Sequence, residues 1–296
     1  MATVATVINK TQRQLLSGQV EEKNKLNGAI NSTTTSIATV YDLNGLRPGT
    51  VFEIDSEMFY IWESSTSSKT LTVERGWNGT TAASHATNAI ITANPRFPRA
   101  QILEAINDEI ADLSSPVNGL YQMKIVDIDE YDGSDVMINL PVFGGIIELY
   151  DVRLRYTSDD YPLIRKTQLV RDLPTSDFQS GYAIKFNQRT RAGKLRVTFK
   201  APFAPICNES DNLQTVAGLA TSMEDILAIG AQIRLMSPRE IRRNLIDTQG
   251  DTRRSDEVPP GAVAGSITNL LRLRRDRITA EAMKLAKQYP TFLARD

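Results

Sequence analysis

The chain has 296 residues, 41% of them hydrophobic, which is enough for one large domain or two ordinary ones with separate cores and excludes disorder throughout. A formal charge of -1 supplies no global field to recruit DNA or anionic lipid, so charge has to be read locally. A single cysteine, Cys207, excludes an intrachain disulfide, and a single histidine, His85, excludes a catalytic triad or a His-based metal site assembled within one chain.

The opening MATVATVINKTQRQLLSG lacks the basic start, apolar core and small-residue cleavage site of a secretory signal, and no later stretch approaches the roughly 20 apolar residues of a membrane span. The expectation is a soluble, unsecreted chain in a reducing compartment. Val4, Val7, Ile8, Leu15 and Leu16 predict an amphipathic helix ending at Gly18. Residues 1–29 are therefore read as a helix and a polar connector. From 30 to 95 the period changes: SIATVYDL, TVFEIDSEMFYIWE, KTLTVERG and NAIITA are short β-branched and aromatic runs separated by turn residues, predicting a small barrel. FPRAQILEAINDEIADLSSP, within 96–118, predicts a linking helix with Pro98 in its first turn and a stripe of Ile102, Leu103, Ile106, Ile110 and Leu113.

Six period-two runs between 119 and 207, among them GIIELYDVRLRY and KLRVTFKAPF, predict an antiparallel β-sandwich. In VRLRY, Val152, Leu154 and Tyr156 share one face and Arg153 and Arg155 the other. Residues 208–258 predict a pair of helices, the first opening near Ser222 and the second at the capping box Ser237-Pro238-Arg239-Glu240. The joint RRSDEVPPGAVAGS then leads to a helical C-terminal arm, 259–296, ended by Tyr289-Pro290. The predicted class is α+β: a small β-barrel, a connecting helix, an antiparallel β-sandwich and a helical C-terminal arm.

His85 follows a turn crowded with Gly, Ser, Thr and Ala, and its first reading is a structural hydrogen-bonder; Cys207, with no histidine nearby in sequence, reads as a small buried apolar side chain. DIDEYDGSD, residues 127–135, has carboxylates for calcium, but its glycine is out of register for an EF-hand and the closing glutamate is missing, so a hairpin turning at Asp132-Gly133 is expected. ERGWNGTT lacks the Lys-Ser/Thr ending of a phosphate-binding loop. No catalytic set, cofactor or metal is named. Arg234, Arg239, Arg242, Arg243, Arg253 and Arg254 precede a cluster of Arg272, Arg274, Arg275 and Arg277. That cluster is open to three readings: a solvated helix face, a phosphate-contacting surface with a weak helix-turn-helix likeness, or docking on an acidic protein surface helped by an apolar stripe of Leu270, Leu271, Ile278 and Leu285.

IDSEMFYIWESS followed by KTLTVERGWNGTTAASHATNAII resembles the barrel segment that recurs in neck and tail proteins of tailed bacteriophages. The likeness is carried by Glu57, Tyr60, Val73, Arg75, Gly76, Gly79, Thr80, Ala82, Ala83 and His85. RFPRAQILEAINDEI and LRRDRITAEAMKLAKQYP are similar to the corresponding stretches of head-to-tail connector (adaptor) proteins. The resemblance implies a non-enzymatic virion protein of the neck, assembled in the host cytoplasm into a ring, of twelve copies in that family. Its implied partners are itself, the portal protein, the next neck or tail ring protein, and packaged DNA passing through the lumen. It implies ring contacts through the barrel loop, namely Arg75, Gly76, Gly79, Thr80, Ala83 and His85, with Arg75 and His85 holding the loop's shape. It further implies an arm that binds portal or neighbour through Arg272, Arg274, Arg275 and Arg277 with Leu270, Leu271, Ile278, Leu285 and Tyr289. A tail-tip or baseplate component shares the barrel motif and is the first alternative; a DNA-binding protein comes next and a hydrolase last.

Overall fold

The structure, a computed structural model, describes residues 3–133, 136–142, 144–155, 162–187, 191–247 and 262–290. The fold is α+β and divides into two compact units. The first comprises Met1–Ile110, Ile206–Val216 and Ala220–Ile278. Its sheet contains β1 (Lys23–Lys25), β2 (Ser36–Ala38), β3 (Val51–Ile54), β4 (Glu57–Ser65), β5 (Thr70–Glu74) and β6 (Ile90–Ala93). The strand order is β1-β6-β3-β4-β5-β2 and every pairing is antiparallel. The sheet curls into a half-barrel, and its two edge strands meet at an isolated bridge between Leu26 and Thr39. Alternation explains the curl: Leu71 and Val73 point into a core with Phe52, Ile54, Phe59 and Ile61, and Phe52 stacks on Phe59 at 4.7 Å. Pairing of Ile54 with Glu57 leaves Asp55-Ser56 as a two-residue hairpin loop, with Asp55 at φ +52°.

The polar connector expected up to residue 29 is corrected, because Lys23–Lys25 is strand β1. Its one buried side chain is Asn24, which accepts the Tyr41 N–H at 3.0 Å and donates to the Asp42 carbonyl at 3.0 Å. A strand that buries an amide instead of an apolar group carries no hydrophobic period.

Among the described residues there are four α-helices: α1 (Val4–Leu16), α2 (Arg99–Leu113), α3 (Glu224–Asp247) and α4 (Ala262–Gln288). α1 buries Val4, Val7 and Ile8 and packs on α3. α3 is one unbroken helix through Ser237-Pro238, so the expected pair of helices, and with it the helix-turn-helix likeness, is corrected. Ile226, Leu227, Ala228 and Ala231 are almost fully buried ahead of the proline, and that packing outweighs the loss of one backbone donor at Pro238. The capping-box residues thus sit inside a helix. The joint from Arg253 to Gly261 lies outside the described residues, as do the side chains of Arg239, Arg242 and Arg243.

Glu109 ties three helices together. Buried on α2, it receives Arg274 of α4 at 2.6 Å and lies 3.5 Å from Arg234 of α3. Gly230 leaves the space this requires, since a Cβ there would fall 2.1 Å from the Glu109 carboxyl carbon. Arg277 pairs with Asp225 at 2.7 Å and Ile278 is buried, so the first part of α4 is fixed to its own chain.

The second unit comprises Ala111–Pro205, Ala217–Leu219 and Thr279–Asp296. β7 (Gln122–Tyr131), β12 (Gly193–Ala201) and β9 (Glu148–Arg155) form one sheet, and β10 (Thr167–Val170), β11 (Ala183–Phe186) and β8 (Met137–Asn139) form the other. Both contribute to one core, including Val152, Leu154, Ile184, Phe186 and Phe199. Arg153 and Arg155 are exposed as the alternation requires, while Tyr156 lies outside the described residues. The hairpin expected at Asp132-Gly133 is corrected: β7 pairs with β12 and β8 with β11, so the turn joins strands of different sheets. Asp127 and Asp129 lie on β7 and pair with Arg196 and Lys194, at 2.9 and 2.8 Å.

Glu53 on β3 caps the start of α2, accepting the Arg99 backbone N–H at 2.9 Å. Burial pushes its carboxyl up to about 8, against the opposing pull of that N–H and of the Arg99 guanidinium. Folding therefore takes up a proton between 4.5 and about 8, and this group's contribution to stability falls as pH rises through that window. Glu53→Gln keeps an acceptor for the N–H and cannot ionise. It is expected to flatten the decline in urea midpoint between about pH 5 and about pH 8, and an unchanged slope would contradict the assignment.

Candidate functional site

The loop after β5 is built around the Glu57 carboxylate. Glu57 opens β4, beside the β3–β4 turn, and its side chain is 1% exposed. Oε1 accepts from Arg75 Nε at 2.9 Å and the Gly76 N–H at 3.1 Å. Oε2 accepts from Arg75 Nη2 at 2.7 Å, the Ala83 N–H at 2.9 Å and His85 Nε2 at 2.9 Å. Five donors saturate the lone pairs of one carboxylate. The Arg75 guanidinium also donates to the carbonyls of Asn31, Thr34 and Ala83, and its carbon lies 5.0 Å over the Phe59 ring. His85 Nδ1 faces the Asp55 carboxylate at 2.7 Å. Carboxylates accept only, so both ring nitrogens donate and the imidazole is held as imidazolium. Two carboxylates, Asp55 and Glu57, thus balance two cations, Arg75 and His85.

Opposing effects set the protonation. Burial alone would push the His85 imidazolium down, but the hydrogen bonds and charges of Asp55 and Glu57 outweigh it and hold the ring above its ordinary value. Burial would likewise raise Glu57, and the donors from Arg75, Ala83, His85 and Gly76 hold it below the ordinary carboxylate range. Asp55 is lowered first by its hydrogen bond from His85.

Local backbone makes the loop possible. Gly76 sits at φ +63°, where a Cβ would come 2.8 Å from the Thr80 carbonyl oxygen. Thr80 Oγ1 accepts the Met58 N–H at 3.0 Å and donates to the Trp77 carbonyl at 2.9 Å. Trp77 stacks on Tyr60 at 4.6 Å. The structure therefore brings Arg75, Gly76, Thr80, Ala83 and His85 together around Glu57, and leaves Gly79 and the Ala83 methyl exposed at the rim.

That rim borders an open groove of about 1350 Å³ within the first unit. The β3–β4 turn, residues 78–85, one face of α2 and residues 206–210 line it. Asp55, Glu57, Glu104, Asp108 and Glu209 supply carboxylates, and none of the described lining residues is Lys or Arg. Glu209 is engaged by Arg99, with Nε to Oε1 at 2.8 Å, and by Ser56. Cys207 is exposed in the groove wall, which corrects the reading of a buried apolar side chain. Among the described residues no group of three or more His, Cys, Asp or Glu side chains is placed to hold a metal ion.

The residues read as a portal-binding arm are distributed differently. Arg274 and Arg277 pair within the chain, with Glu109 and Asp225. Ile278 is buried, and Leu270, Leu285 and Tyr289 are half-buried; the Tyr289 ring stands edge-on to Tyr150 at 6.1 Å. Leu271, Arg272 and Arg275 are exposed. Sequence reasoning missed Asp55, Glu109 and the groove. The adjacency of Asp55 to Glu57 in a hairpin was the available signal for the first, and the groove had none.

Glu57→Ala would leave a buried guanidinium and imidazolium without their common partner, and is expected to cost about 3–5 kcal/mol in urea unfolding. A loss below about 1 kcal/mol would show that the hub is not structural. The cluster also fixes the signs of a pH profile, best measured in the Glu53→Gln background. The contributions of Asp55 and Glu57 are present above the ordinary carboxylate range and are lost as pH falls through their lowered values. The His85 contribution is complete below 6.5 and is lost as pH rises through its raised value, so His85→Gln is expected to remove the alkaline limb. No protein-family model matches the chain, and no curated protein is similar to it.

Proposed function

We propose that the chain is an architectural protein of a tailed-virus particle, a ring-forming adaptor of the neck that joins portal to tail and surrounds the DNA channel. The observation that carries this reading is the saturated Glu57 hub. Every polar member of the loop motif is spent on bracing the loop, with Arg75, His85 and two backbone amides converging on one carboxylate. A group that already accepts five hydrogen bonds and sits below its ordinary pKa is poorly suited to move protons during a reaction. It is well suited to hold a rim of small residues in fixed shape for a neighbour to approach. Proximity to portal, to the adjoining ring protein and to DNA follows from the resemblance of this motif, and belongs to the same proposal.

Electron microscopy of the full-length chain, alone and mixed with portal rings, tests it. Closed rings of one rotational symmetry are expected. Ala83→Trp adds bulk to the exposed rim without touching the backbone groups of the hub, and is expected to prevent ring closure while leaving the melting temperature within about 2 °C. A chain that stays monomeric under all these conditions overturns the reading.

A further inference from the structure

Both tryptophans of the chain lie against Tyr60 on the outer side of the half-barrel. Trp62 stays 56% exposed, an unfavourable place for the largest apolar side chain. Its direction has a local cause. The β4–β5 register shifts between Ile61 and Glu63, so Trp62 is the extra residue of a β-bulge. Ile61 points into the core, and Trp62 and Glu63 follow it one after the other onto the wet face, as a bulge that re-aims a side chain allows. Trp62 Nε1 donates to Glu74 Oε2 at 3.2 Å, and the Trp62 and Tyr60 rings meet at 71° with centroids 4.8 Å apart. The one nitrogen of the indole is thus engaged, and what the ring shows to water is carbon.

The groups around that ring are hydroxyls and carboxylates. Tyr60 lies opposite Glu74, Thr72 opposite Glu63, and Ser36 opposite Thr72, so all five share the outer face with Trp62. Glu74 Oε1 and the Ser36 and Thr72 hydroxyls have no partner among the described residues. None of these six positions is Lys or Arg. We infer that this face binds a neutral saccharide, one pyranose ring lying on the Trp62 indole. The axial C–H bonds of a pyranose form an apolar face that rests on an aromatic ring, while its hydroxyls point outward near the ring plane. Those hydroxyls donate to the Glu74 carboxylate and exchange hydrogen bonds with Thr72 and Ser36. Strands about 4.8 Å apart and alternate residues about 7 Å apart distribute these partners around a single sugar ring. A phosphate-bearing ligand would meet two carboxylates and no cation on this face. A cation cage needs several ring faces turned toward one point, whereas Tyr60 and Trp77 turn their faces on each other at 4.6 Å. The loop carrying Trp77 is braced at Gly76 and Ala83 by Glu57, so the platform is ordered before a ligand arrives and the cost of binding is lower. The inference stands apart from the ring reading, and neither depends on the other.

Because both tryptophans belong to the platform, the intrinsic emission of the full-length chain reports on it directly. Titration with neutral tetrasaccharides of glucose, N-acetylglucosamine, galactose and mannose is expected to give a saturable blue shift with at least one of them at millimolar concentration. Calorimetry with that sugar then compares variants whose unfolding curves show them to be folded. Trp62→Ala is expected to weaken binding about 30-fold through loss of the stacking surface. Trp62→Tyr, which keeps an aromatic face, should bind more tightly than Trp62→Ala. Glu74→Gln replaces a charged acceptor by a neutral one and is expected to cost about tenfold. A panel that produces no saturable shift overturns the inference, as does a sugar that Trp62→Ala holds as tightly as the wild type. A shift produced by polyphosphate or by a lysine-rich peptide and by none of the sugars also overturns it. A shift that follows protein concentration without sugar assigns the face to a second copy instead and overturns it as well.

Discussion

A single buried carboxylate sets the shape of the loop at the barrel's edge. Glu57 is almost fully buried, so its charge is tolerated because donors from three stretches of chain converge on it: Arg75 with Gly76, Ala83, and His85. Each donor is thereby fixed in position by the others. Apart from Trp77, which stacks on Tyr60, the loop between β5 and β6 has only alanines as apolar side chains to bury. Here the polar hub takes the place of a hydrophobic anchor, while Arg75 lends its flat face to Phe59 and so joins the hub to the core.

An apolar cluster of the same volume would serve stability as well or better, because desolvating the Glu57 carboxylate and the two cations is expensive. What it would not supply is direction. Hydrogen bonds specify which atom meets which, and the two backbone amides at Gly76 and Ala83 fix the path of the main chain itself. The near-exact balance of Asp55 and Glu57 against Arg75 and His85 keeps the net charge of the buried cluster close to zero. Raised and lowered ionisation in these partners reflect one coupled arrangement.

Much of this architecture was legible in the sequence, for reasons that can be located. Period-two alternation in VRLRY put Val152 and Leu154 on one face, and that face is the buried one, because a strand with one wet face has to alternate. Arg75, Gly76, Thr80 and His85 are marked in the sequence by the resemblance of this stretch to the phage barrel segment, whereas residue chemistry alone reads the loop as an ordinary turn. The failures also have causes. Lys23–Lys25 hides as a strand because its buried residue is an amide, and α3 runs through a proline because its buried residues pack on α1 and outweigh local preference. Glu109 looks like any helix-surface acid until α3 and α4 bring Arg234 and Arg274 to it. The groove has no linear signature at all, since its walls come from residues near 55, 80, 104 and 208.

Rigidity at this edge bears on assembly through repetition. Every ordered contact between copies costs the conformational freedom of the groups that make it, and that cost recurs at each interface of a ring. A loop already fixed by Glu57 would lose little further freedom in a contact of the kind the proposed ring requires. Modest interfaces between such parts can therefore close a ring that flexible parts with the same contacts could not. In the ring proposed above, the polar hubs would have their effect at this level, by lowering the ordering cost of each subunit contact.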